Sequence, residues 1–226
     1  MSARFLFSAR LPPLRPPARP DSIFLASTAE RNETLFYRLV VDNIFEYAPF
    51  IYTPTVGHAC LQFGNIWRAS RGLYLNLDTA KGEIENVLEN WPADQVEIIV
   101  VTDGSRILGL GDLGVNGQGI PIGKLALYVA AAGFHPSRTM PVLLDVGTNN
   151  KELREQDDYL GIPRERCDDD QFYGFVDEFM TAVKRKWPHC LVQFEDFSNN
   201  HVRPGPWLLG STRWVVLLFV PHLLVA

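Results

Sequence analysis

The sequence predicts an α/β domain in which N-terminal helices are followed by a mainly parallel sheet with flanking helices. Short apolar runs of buried-strand character recur at residues 96–101, 141–144 and 190–194. Stretches with helical character lie between and around them, at 125–132 and 169–186. Strands that alternate with helices form βαβ units, whose crossovers pair the strands in parallel.

The first predicted helix spans residues 31–47, with Leu35, Leu39, Ile44 and Phe45 at near-helical spacing. Tyr52-Thr53-Pro54-Thr55 breaks the pattern, because a residue before proline avoids helical angles. Residues 56–67 read as a second helix and residues 72–77 alternate like a strand. Asp78 or Thr79 is then expected to cap a short helix reaching Leu88. The strand at 96–101 ends at Thr102-Asp103-Gly104, the next at Asp145, and the last at Glu195-Asp196. The helix at 169–186 carries Phe172, Phe175, Val176, Phe179 and Val183 on one face. In such sheets ligands gather at the carboxyl ends of strands. Asp103, Asp145, Glu195 and Asp196 therefore form an expected acidic rim, suited to a divalent cation.

With 226 residues, 46% of them hydrophobic, the chain can build one sizeable core with ragged ends. Its net charge of −5 speaks against a general nucleic-acid or membrane-surface binder. Cys60, Cys167 and Cys190 match no zinc-ligand spacing and read as buried or idle reduced thiols. Residues 1–22 are set apart as a leader or disordered segment. Arg4, Arg10, Arg15 and Arg19 precede the first acid, Asp21, as in mitochondrial or plastid transit peptides. Pro12, Pro13, Pro16 and Pro17 would break an amphipathic helix, which leaves the cytoplasm as the alternative. Residues 201–226 hold no acid, and their apolar run at 214–220 falls short of the roughly 20 residues of a membrane span. The domain is expected over residues 23–200.

Four motifs invite chemistry. Gly109-Leu110-Gly111-Asp112-Leu113-Gly114 is formally a dinucleotide fingerprint, which needs a helix immediately after it. The glycine-rich residues 115–121 are not expected to start one. Gly119-Ile120-Pro121-Ile122-Gly123-Lys124 fails as a phosphate-binding loop, since Gln118 and Leu125 stand where glycine and Ser or Thr are required. Lys124 is then either a solvated lysine at a helix start or a buried one, and burial would make it a usable base. Glu195 and Asp196, between Phe194 and Phe197, need a metal or a basic partner to relieve their repulsion. Tyr52, in a stiff Thr-Pro turn, is either a positioned proton donor or a core residue.

Taken together, the segments 29–38, 52–57, 101–114, 119–128, 144–149 and 193–197 resemble malic enzymes, in the same order. The resemblance implies the malic-enzyme N-terminal domain, of aminoacid-dehydrogenase-like fold. It implies oxidation of L-malate with NAD or NADP and decarboxylation to pyruvate, using Mg²⁺ or Mn²⁺. By the same resemblance Lys124 is the general base, Tyr52 the general acid, Arg106 the grip on the substrate carboxylate, and Glu195 and Asp196 metal ligands. In this family the glycine-rich loop belongs to the substrate side. The family's next segment, Phe-Asn-Asp-Asp-Ile-Gln-Gly, supplies a third ligand, whereas no acid follows Asp196 here. The chain thus reads as truncated before the NAD(P) domain, with a tail at 201–226 unlike the family. Alone it is expected to be inactive on malate. The alternative is a non-catalytic protein that pairs with full-length subunits of a homo-oligomer.

Overall fold

The computed structural model describes Leu25 and residues 27–66, 71–107 and 109–198. The readings for residues 1–22 and 201–226 lie outside the described residues. A turn of helix over residues 27–31 leads into α1 (Glu33–Asp42), and α2 (Ile44–Ile51) and α3 (Thr55–Leu61) follow. After α4 (Phe63–Ile66) come β1 (Leu73–Asn76), α5 (Leu77–Ala80) and α6 (Ile84–Glu89). The second half holds β2 (Ile98–Thr102), α7 (Gly119–Ala132), β3 (Thr139–Asp145), α8 (Lys151–Arg154), α9 (Asp169–Lys186) and β4 (Leu191–Phe194).

The expected parallel sheet is present. Its strand order is β1-β3-β2-β4, and every pair is parallel. All five side chains of β2 are buried because the sheet is covered on both faces. Ile99 and Val101 join Val142, Leu144, Val192 and the Phe172, Phe175 and Phe179 stripe of α9. Ile98 and Val100 point the other way, onto Leu125 of α7. The residues foreseen for the buried face of α9 are the ones that pack, and Asp168 caps that helix by accepting from Gln171 N.

Four local expectations need correction. The helix foreseen at 56–67 breaks at Gln62 into α3 and α4. The helix foreseen at 31–47 breaks at Asn43, whose φ of −136° is not helical, so α1 and α2 are separate. Its buried face is Phe36 and Val40, which pack with Leu25 and Ala29, while Leu35 and Phe45 are exposed. The short helix after β1 is capped by Asn76, not Asp78 or Thr79, since Asn76 Oδ1 accepts from Asp78 N. That helix also ends at Ala80, and α6 starts separately at Ile84. Glu178, reaching from α9, accepts from Gly82 N and Ile84 N and secures this joint. Finally, α7 begins at Gly119 and not at Leu125.

The three cysteines are free thiols. Burial pushes the Cys60 thiol up to about 12, against lowering by the Gly119 N–H, and burial likewise lifts Cys190 to about 12. Cys167 is only half-buried. Ellman's reagent is expected to label one thiol slowly in the native chain and all three in denaturant. Rapid native labelling of all three would show this packing to be wrong.

Candidate active site

The site forms where β4 ends against α7 and the turn after α2. Gly123 makes the approach feasible: a methyl group there would lie 2.6 Å from the Ile51 carbonyl oxygen and 3.0 Å from the Tyr52 ring. The Tyr52 turn can thus sit against α7 beside Lys124, whose Nζ lies 5.0 Å from the centre of the Tyr52 ring. The Lys124 side chain is 12% exposed and its ammonium lies 2.8 Å from Glu195 Oε1, itself on a side chain 3% exposed. Tyr52 donates its hydroxyl to the same oxygen at 3.2 Å. Burial, and after it the charge of Glu195, push the Tyr52 pKa far above the ordinary phenol value. The hydroxyl keeps its proton and is suited to be a donor.

Lys124 is a partly buried lysine and not a solvated one. The helix-start argument falls away because Lys124 lies more than one turn inside α7, beyond the reach of the terminal dipole. Of the two remedies foreseen for the adjacent carboxylates, the structure supplies Glu195 with a basic partner. Asp196 is the only non-glycine residue with positive φ among the described residues, at 57°. Such backbone strain clusters at ligand sites.

Arg106 is exposed, and it reaches this corner through the backbone: its N–H donates to the Asp196 carbonyl at 3.2 Å. Ser198 N donates to Ser105 Oγ at 2.7 Å, a second tie between the glycine-rich loop and the segment after β4. Tyr52, Lys124 and Glu195 therefore meet through their side chains. Asp196 and Arg106 adjoin them through the main chain.

The acidic rim splits in two. Asp145 accepts from Ile162 N at 2.8 Å and Gly147 N at 3.2 Å, and burial raises its pKa. Asp103 accepts from Ser105 N and Oγ and lies 3.4 Å from Arg166. Both brace loops instead of joining Glu195 and Asp196, because a buried carboxylate takes the nearest N–H donors it can find. Among the described residues no group of three or more His, Cys, Asp or Glu could hold a metal. The donor set at this corner is two adjacent carboxylates, which suits a hard cation that completes its shell with water and substrate.

The glycine-rich loop differs from its expected form. A 3₁₀ helix, Gly114–Gln118, starts directly after the fingerprint and runs into α7. Its first N–H groups are nevertheless already bonded: Gly114 N donates to Asp112 Oδ1 at 3.0 Å and Val115 N to the Tyr159 hydroxyl at 3.2 Å. A pyrophosphate would have to displace both, so the loop does not fit a dinucleotide. Gly104, at φ 70°, lets the loop close on itself, since a Cβ there would collide with the Gly114 carbonyl.

Arg166 holds the loop and is marked by nothing in the sequence, lying among Arg164, Glu165 and Asp168 in what reads as a solvated charged stretch. Its side chain is 5% exposed, with Nη2 2.7 Å from Asp112 Oδ1. The same nitrogen donates to the Asp103 carbonyl at 3.0 Å. Asp112 also accepts from Thr148 and Asn149 N, which ties the loop to the end of β3. The carboxylates at 103 and 112, close to an apolar loop, are the signal that a buried cation is needed.

An α/β domain with its polar cluster at the carboxyl edge of a parallel sheet is the class that this geometry defines. A family model described as the malic enzyme N-terminal domain matches residues 29–204. The chain belongs to the malic enzyme family. It is 55% identical over 170 residues to an Arabidopsis thaliana protein named NAD-dependent malic enzyme 1, mitochondrial, covering 75% of this chain and 27% of that one. It is 56% identical over 179 residues to a Dictyostelium discoideum NADP-dependent malic enzyme, covering 79% and 33%. An Escherichia coli NAD-dependent malic enzyme is 50% identical over 182 residues, covering 80% and 32%. The chain thus spans a third or less of the length of these relatives.

Proposed function

We propose that this chain supplies the malate side of a malic enzyme, which oxidises L-malate with NAD or NADP and decarboxylates the product to pyruvate and CO₂. The observation that carries the reading is the meeting of Tyr52 and Lys124 on one oxygen of Glu195, at 3.2 and 2.8 Å. A proton donor, a candidate base and a candidate metal ligand then share one partly dry corner. Lys124, once its ammonium has given up a proton, would take the C2 hydroxyl proton, and the nicotinamide, when bound, would accept the hydride from C2. Tyr52 later protonates the enolpyruvate carbon after CO₂ has left. Arg106 grips a substrate carboxylate. Glu195 and Asp196 would hold Mg²⁺ or Mn²⁺, which when bound polarises the C2 oxygen. The closing of Arg106 N on the Asp196 carbonyl supports the reading that both serve the same small substrate.

The test uses oxaloacetate, whose decarboxylation needs no nicotinamide. The purified 226-residue chain with Mn²⁺ is expected to form pyruvate slowly, above the rate with Mn²⁺ alone. Glu195→Gln should remove the excess. No excess in the unsubstituted chain would refute this assignment. The names of the Arabidopsis relatives also support organelle import, so a fluorescent fusion of residues 1–20 is expected in mitochondria or plastids.

One observation favours a second reading, non-catalytic pairing with full-length subunits: Phe45 is 98% exposed, with Leu35 and Val41 exposed nearby on the N-terminal helices. Such apolar exposure is a feature of association surfaces. Sedimentation of the chain with and without a full-length malic enzyme distinguishes the readings.

A further inference from the structure

Two side chains outside the proposed reacting groups complete the surroundings of Glu195. Gln193 lies two residues earlier, on β4, so both side chains leave the strand on the same side. Gln193 is 1% exposed. Its Nε2 donates to Glu195 Oε2, and its Oε1 accepts the hydroxyl proton of Tyr128. Tyr128 stands on α7 one turn beyond Lys124. Helix α7 therefore reaches the Glu195 carboxylate twice. Lys124 meets Oε1 directly, and Tyr128 acts on Oε2 through Gln193.

The polarity of this chain matters. A carboxamide can be turned end for end, and the last torsion of a glutamate is broad and roughly two-fold. With Gln193 reversed, its oxygen would face Glu195 Oε2, two acceptors with no proton between them in a buried place. The Tyr128 hydroxyl, by donating to Oε1, favours the orientation that turns the NH₂ toward Glu195.

We propose that Tyr128 and Gln193 are positioning residues: they hold the Glu195 carboxylate with Oε2 anchored and Oε1 turned to Lys124, Tyr52 and an incoming divalent cation. The part concerning the cation rests on the function proposed above. Neither is assigned a contact with substrate.

The experiment has two arms on the 226-residue chain. Without metal, the side-chain ¹H–¹⁵N signals of Gln193 are expected to be dispersed and protected from solvent exchange. In Tyr128→Phe they should shift and lose protection while the backbone amides of the sheet stay in place. Unchanged Gln193 signals would overturn the proposal. With Mn²⁺ followed by electron paramagnetic resonance, Tyr128→Phe and Gln193→Met are expected to bind about tenfold more weakly or worse. Unchanged melting would set this apart from unfolding, and Tyr128→Phe keeps the test open should Gln193→Met fail to fold. Equal affinity in folded variants would also overturn it. If the unsubstituted chain binds no Mn²⁺, the metal reading of Glu195 fails, and the Gln193 signals still decide the positioning.

Discussion

In a malic enzyme assembled with this domain, Lys124→Ala is expected to lower NAD(P)H formation from malate by about 10²–10⁴-fold, the range for loss of a positioned acid–base group. The substitution removes the group proposed to move the proton and strips Glu195 of the cation 2.8 Å from its Oε1. The second effect alone costs about 3–5 kcal/mol where the surviving charge stays buried. Thermal melting of the variant separates the two contributions. A folded variant that oxidises malate as fast as the unsubstituted enzyme would remove Lys124 from the mechanism.

Arg166→Leu is expected to destabilise the fold by about 3–5 kcal/mol, because it leaves the buried carboxylate of Asp103 and the half-buried one of Asp112 without their guanidinium. Burial by itself would raise the Asp112 pKa, but the hydrogen bond and charge of Arg166 outweigh it and hold the carboxyl below its ordinary 3.8. A depressed carboxyl adds stability that is complete above 3.8 and is lost as pH falls through its lower folded value. Urea unfolding from neutral pH down to about pH 3 should therefore show an acid-dependent loss in the unsubstituted chain that is smaller in Arg166→Leu. Equal stability of the two chains at neutral pH would mean that the loop does not depend on this ion cluster. A secondary loss is expected in Mn²⁺ binding, since the loop that Arg166 holds donates Arg106 N to the Asp196 carbonyl.

Strand and helix types were legible where burial leaves a pattern. The run around β2 is apolar throughout because both faces of a parallel strand are covered, and the phenylalanine stripe of α9 is the 3.6-residue period of a helix with one wet face. The N-terminal helices leave a less decisive pattern. Leu35 and Leu39 match a helical period as closely as Phe36 and Val40 do, and composition cannot say which stripe meets Leu25 and Ala29. The start of α7 is hidden in the sequence because glycine and proline read as loop residues. Packing reverses their meaning there: Gly119 and Gly123 let α7 lie against Cys60 and Tyr52.

The sequence alone determined the parallel α/β class, the strand ends that carry the acids, and, through ordered motifs, the family. It also carried Tyr52, Lys124, Arg106, Glu195 and Asp196 as the residues to watch. Only the tertiary structure decided which of four strand-end carboxylates stand together, that Tyr52 and Lys124 share one oxygen of Glu195, and that Arg166 pays for burying Asp103 and Asp112. The physical reason is separation along the chain. Strand and helix periods are local, whereas Tyr52 bonds a residue 143 positions away and Arg166 a residue 63 positions away. Contacts of that range follow from how the layers close, and a buried charge finds its partner only once they have closed.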